Sequence, residues 1–78
     1  MNNAELKAKM ELEGYTAKEF TGDDESKSEF VFENDDHFIN VYHDRSLAII
    51  LNDNLTSTLE RIKKRDEIRA WFNQLRSS

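Results

Sequence analysis

Residues 29–51 read EFVFENDDHFINVYHDRSLAIIL. Three runs rich in aromatic and β-branched residues, EFVFE (29–33), HFINVYH (37–43) and SLAIIL (46–51), are parted by NDD and DR. Asn and Asp hydrogen-bond their own backbone and tolerate unusual φ, so each break reads as a turn. The stretch is therefore expected to form consecutive β-hairpins, with Phe30 and Phe32 on one face. The last run is apolar on both of its faces, the mark of a strand covered on both sides. Two covers fit: the terminal helices, one to each face, or a second subunit. Left bare, Leu47, Ile49 and Leu51 would invite aggregation.

Working upstream, YTAKEF (15–20) alternates and carries β formers, so it reads as a first strand, with TGDDESKS as a polar loop behind it. NAELKAKMELE (3–13) is rich in strong helix formers, spaces Leu6 and Met10 on one face, and is followed by Gly14 where a C-terminal cap belongs. Downstream, Ser57 and Glu60 form a capping box for a helix reaching Leu75. Its apolar residues fall in two stripes. Leu55, Leu59 and Ile62 lie roughly opposite Ile68, Trp71, Phe72 and Leu75 at ~100° per residue. Such a helix either passes between two surfaces or breaks near KKRD, with Asp66 capping the second piece; the expectation is helix for both pieces, with a kink. The expected fold is a single α+β domain: an antiparallel meander of about four strands, an N-terminal helix and a C-terminal helical segment.

Bulk composition narrows the function. Seventy-eight residues leave room for one thin core and little for an enclosed substrate cavity. With no Cys there are no disulfides, thiolate zinc sites or cysteine nucleophiles. LAIIL is far too short to span a bilayer, and MNNAELKAKMELEG lacks the basic and apolar regions of a signal peptide. A cytoplasmic protein is the expectation. The net charge of −5 is unevenly spread: residues 1–54 carry −8 and residues 55–78 carry +3. Nucleic-acid binders usually carry a basic surplus overall, so a polyanion would be repelled except along the C-terminal segment.

The two histidines share one strand, His37 and His43, six residues apart. At ~3.3 Å per residue their Cα atoms are roughly 20 Å apart, too far for one metal ion. Alternating turns sort the acids to opposite ends of the sheet. Asp23, Asp24, Glu25, His43 and Asp44 gather at one end, and Asp35, Asp36, His37 and Asp53 at the other. Each cluster could bind a divalent cation or do acid–base work. The preferred reading is turn chemistry, because small surface loops lack the supporting contacts that fix ligands. DDESKSE lacks the glycine and final glutamate of a calcium loop, and two glycines make no phosphate cradle. No catalytic residue, metal ligand, cofactor or small-molecule substrate is expected.

Two binding functions remain. The first is a protein-interaction module, an adaptor or inhibitor, whose Asp23, Asp24, Glu25, Asp35, Asp36 and Asp44 meet a basic partner surface. Small acidic cysteine-free α+β chains are a common type among phage and mobile-element products, and this general type fits that reading. A homodimer through the sheet is compatible with it. The alternative is a nucleic-acid-contacting regulator that grips phosphates through Arg61, Lys63, Lys64, Arg65 and Arg69, with Trp71 stacking a base. Trp71 fits better in the apolar stripe with Ile68 and Leu75. A small metal-dependent enzyme built on a turn cluster ranks last.

Overall fold

Asn2 opens the first helix by accepting the Glu5 N–H on its side-chain oxygen at 2.9 Å, while its amide donates to Glu5 Oε1 at 3.2 Å. The first of these bonds satisfies a backbone donor that a helix start otherwise leaves without a partner, and the second holds the two side chains together. The structure is a computed structural model and describes residues 2–20, 28–52 and 57–77. The helix, α1 (Asn3–Leu12), ends at Gly14 with φ of 90°. Gly14 N–H donates to Glu11 O at 3.1 Å and Tyr15 N–H to Met10 O at 3.0 Å. Those paired bonds close a Schellman motif, which needs the left-handed residue that glycine supplies. Tyr15 is thereby turned beneath the helix, into the core beside Leu6 and Met10.

Four strands follow: β1 (Thr16–Glu19), β2 (Ser28–Glu33), β3 (His37–Tyr42) and β4 (Leu47–Leu51). They pair antiparallel in the order β1-β2-β3-β4, as the hairpin reading of residues 29–51 requires. The Asn34 side-chain oxygen shapes the β2–β3 turn by accepting the N–H groups of Asp36 and His37 at 2.8 and 2.9 Å. The β3–β4 turn closes with Tyr42 N–H on Ser46 O and Arg45 N–H on Tyr42 O, which forces Arg45 to φ of 71°. A bulge in β2 lets Ser28 face Tyr42 and Phe30 face Val41, so Glu29 is the extra residue. Glu29 meets α1, where its carboxylate accepts from the Asn3 amide at 3.0 Å.

The last element, α2 (Thr58–Ser77), is one unbroken helix. The expected kink at KKRD is absent, and the helix does not pass between two surfaces either: one of its two apolar stripes packs and the other, among the described residues, faces solvent. Ser57 caps it loosely, its hydroxyl accepting the Glu60 N–H at 3.4 Å. Ile68, Trp71, Phe72 and Leu75 pack on the sheet, whereas Leu59 and Ile62 are 76% and 46% exposed.

Both helices pack against the same face of the sheet, so of the two covers considered for β4 the one with a helix on each face is overturned. Phe30, Phe32, Ile39, Val41 and Ile49 all point to that face and close over Leu6, Met10, Tyr15 and Phe72. The opposite face mixes Thr16, Lys18, Glu33 and Asn40 with Val31, Phe38, Ala48 and Ile50. Its polar residues interrupt the apolar area that a helix would need. The doubly apolar character of β4 is local to that strand, and Ile50 remains 54% exposed.

Candidate functional site

The acidic residues expected to meet a partner do not form one surface. Asp35 and Asp36 are exposed in the β2–β3 turn, Asp44 is exposed in the β3–β4 turn, and these turns lie at opposite ends of the sheet. Asp23, Asp24, Glu25 and Asp53 lie outside the described residues. The Asp44 carboxylate accepts both the N–H and the hydroxyl of Ser46. Those hydrogen bonds, the hydroxyl's first, hold its pKa below the usual carboxylate value. Beside it a broad, shallow cleft of about 520 Å³ is lined by Tyr42, His43, Asp44 and Ser46.

His37 departs from its expected place in a surface cluster. It is only 6% exposed, and its Nε2 lies 2.7 Å from the Tyr15 hydroxyl in a buried hydrogen bond. The reason is register: His37 shares the inward face with Ile39 and Val41, and the Schellman turn at Gly14 delivers Tyr15 opposite it. Tyr15 also stacks on Trp71 with ring centroids 5.9 Å apart and planes 19° from parallel. Burial, and after it the negative charges of Glu13 and Asp36, raise the Tyr15 pKa. His43, by contrast, is exposed in its turn. Among the described residues no three His, Asp or Glu side chains come close enough together to hold a metal ion.

Above this aromatic pair lies an open cleft of about 290 Å³, lined by Glu13, Tyr15, Asn34, Glu67, Ile68 and Trp71. Three elements build it: the end of α1, the β2–β3 turn and the middle of α2. It carries two carboxylates and an indole wall, with exposed Asp35 and Asp36 in the adjoining turn. An arrangement of this kind suits a cationic group, which the carboxylates attract and the aromatic faces accept. The sequence already marked Trp71 and Tyr15 as apolar or strand residues. Their meeting with Glu13 and Glu67 depends on how α2 returns over the sheet, which no local pattern encodes.

Of the basic residues of the nucleic-acid reading, Arg61, Lys64, Arg65 and Arg69 share one side of α2 and Lys63 lies on the other. Arg61, Lys64, Arg65 and Arg69 are half-buried, and Lys63 is exposed. Lys63 points about 160° away from Arg61 on the helical wheel. Arg69 pairs with Asp66 at 3.4 Å on the exposed flank. Arg61, Lys64 and Arg65 continue the line of the packed stripe toward the helix start. Trp71 is packed against the core. Among the described residues no helix is long and apolar enough to cross a membrane. No family model matches the sequence, and no curated protein or solved structure shows significant similarity to it.

Proposed function

We propose that this chain is a cytoplasmic protein-interaction module, an adaptor or inhibitor, that binds a basic surface of a partner protein and carries out no catalysis. The observation that carries the reading is the cleft at Trp71. Glu13 and Glu67 stand around an indole and a phenol stacked on each other, so the site pairs negative charge with a flat apolar wall. An arginine or lysine side chain from a partner satisfies both at once. A desolvated cation–aromatic contact contributes ~2 kcal/mol, more than an exposed ion pair gives. Asp35 and Asp36 add long-range attraction, which speeds encounter more than it tightens the complex. Arg61, Lys64, Arg65 and Arg69 share one side of α2 but are half-buried there, Arg69 is paired with Asp66, and the chain as a whole carries a net charge of −5, so the protein-binding reading is preferred.

The test is titration with an arginine-rich peptide, followed by the indole N–H resonance of Trp71 and the backbone amides of residues 13–15 and 34–37. A saturable, salt-sensitive shift of the indole is expected, lost in Glu13→Lys/Glu67→Lys and kept in Asp44→Lys. Shifts that spare Trp71, or that survive the double reversal, would defeat the assignment. A DNA or RNA oligonucleotide in the same experiment separates the alternative, which calls for shifts along residues 61–69.

A further inference from the structure

The sheet has two edges, and they are defended very differently. β1, the first, is four residues long and carries exposed Lys18 and Glu19. Charges and brevity are what natural sheets use to discourage pairing with another chain. β4, the second, reads LAIIL, with no charge, no proline and no bulge in its register against β3. No described strand lies beyond it.

The direction of its free hydrogen-bonding groups follows from the pairing. Tyr42 N–H bonds Ser46 O and Asn52 N–H bonds Asp36 O, in the same register as Asn40↔Ala48 and Phe38↔Ile50. Even-numbered residues of β4 therefore turn their backbone groups toward β3. In an antiparallel ladder the alternate residues turn theirs outward. Leu47, Ile49 and Leu51 thus present N–H and C=O groups along an open edge.

We propose that two copies of this chain pair antiparallel through β4, about a two-fold axis at Ile49, to give a continuous eight-stranded sheet. The occupant is a second copy because the strand is complementary to itself. About that axis Leu47 meets Leu51 of the other copy, Ile49 meets Ile49, and small Ala48 meets large Ile50. Every cross-strand pair is apolar, no charge opposes a charge, and the outward groups of 47, 49 and 51 form a self-satisfying ladder. Isologous two-fold pairing also closes the assembly, whereas edge pairing in other senses would leave a new edge. The backbone contact of five residues is small beside the ~800 Å² per partner of a stable interface. α2 does not enlarge it through Leu59 and Ile62: Glu67 and Ile68 already stand beside the β2–β3 turn and Arg76 reaches the β3–β4 turn, so the first turns of the helix run past the end of the sheet. The pairing therefore rests on the strand itself and depends on concentration. α2 packs chiefly over β4, with Trp71 on its flank toward Tyr15 and the open edge of β4 along the other. The Trp71 cleft lies on the opposite flank of α2 and stays open in the dimer, so this proposal and the partner-binding reading fail separately.

Sedimentation velocity on the full chain, over a concentration series, reads the association directly. Two double variants on the open face test the register. In Ala48→Lys/Ile50→Lys each new cation opposes another across the axis, and dimerisation weakens by roughly tenfold or more. In Ala48→Glu/Ile50→Lys the same positions carry opposite charges across the axis, and the dimer is retained. Far-UV circular dichroism confirms that both variants fold. Amide exchange adds an independent signature: Leu47, Ile49 and Leu51 are protected in the dimer and exchange quickly in a monomer. The proposal is overturned by a monomer at every concentration with those three amides unprotected. Equal loss of association in both variants also overturns it, since that result belongs to packing through the open face.

Discussion

The hydrogen bond between Tyr15 and His37 ties the end of α1 to the start of β3, and both rings are buried. In Tyr15→Phe the stack on Trp71 survives, but the imidazole Nε2 loses its partner inside the core. A buried polar atom stripped of its partner costs about 1–3 kcal/mol, and this is the expected loss in chemical denaturation. The same variant has a pH signature. Burial raises the folded-state pKa of Tyr15, so above the unfolded value of about 10 the folded chain holds the phenol proton more tightly than the unfolded one. Its contribution is complete below pH 10 and is lost as pH rises through the folded pKa. The difference in stability between native chain and Tyr15→Phe should therefore narrow above pH 10. A difference that stays constant to strongly alkaline pH would mean that the phenol is not desolvated in the fold.

Among the elements, the β3–β4 hairpin shows where sequence reading succeeds and where it stops. Alternation, together with NDD and DR as breaks, was enough to place β2, β3 and β4 and to separate the two histidines. The helix end at Gly14 was equally legible, since glycine there has one common use. The conformation inside the second turn was not. Arg45 adopts φ of 71°, a position that glycine or asparagine normally fills, and nothing about arginine announces it. Its backbone oxygen accepts from Arg76 Nη2 at 2.8 Å, joining the turn to the end of α2. Arg45→Gly keeps that carbonyl and relieves the left-handed strain. Some of the gain is offset by the greater freedom of glycine in the unfolded chain, so a stabilisation of about 0.5–1 kcal/mol is expected. A shift of the urea midpoint to higher concentration at unchanged slope checks it. The candidate site was less legible than the hairpins for a related reason. Asp35, Asp36 and Asp44 signalled turns, which they make, while the cleft joins Glu13, Glu67 and Trp71 across 58 residues of chain.

For the whole molecule, the decisive fact is that one side chain roofs the core from above. Phe72 is fully buried, its ring centroid 5.8 Å from that of Phe32, with the Arg76 guanidinium 5.4 Å from its own. Truncation to alanine costs about 3–5 kcal/mol. A domain of this size has a total stability of ~4–12 kcal/mol at ~0.05–0.15 kcal/mol per residue. Phe72→Ala therefore loses a large part of that total, and at the lower end of the range it reaches its unfolding midpoint as an isolated chain. Association through β4 changes what is measured, because assembly favours the folded form by mass action. Far above the dissociation constant, each tenfold rise in concentration adds about 1.4 kcal/mol per mole of dimer. Thermal scans at two well-separated concentrations should show a higher midpoint for the native chain at the higher one. Phe72→Ala should melt well below the native chain at both concentrations, with its midpoint also rising at the higher one. Midpoints that do not move with concentration would leave Phe72 as the roof of a monomer and remove the second copy from the stability of the fold.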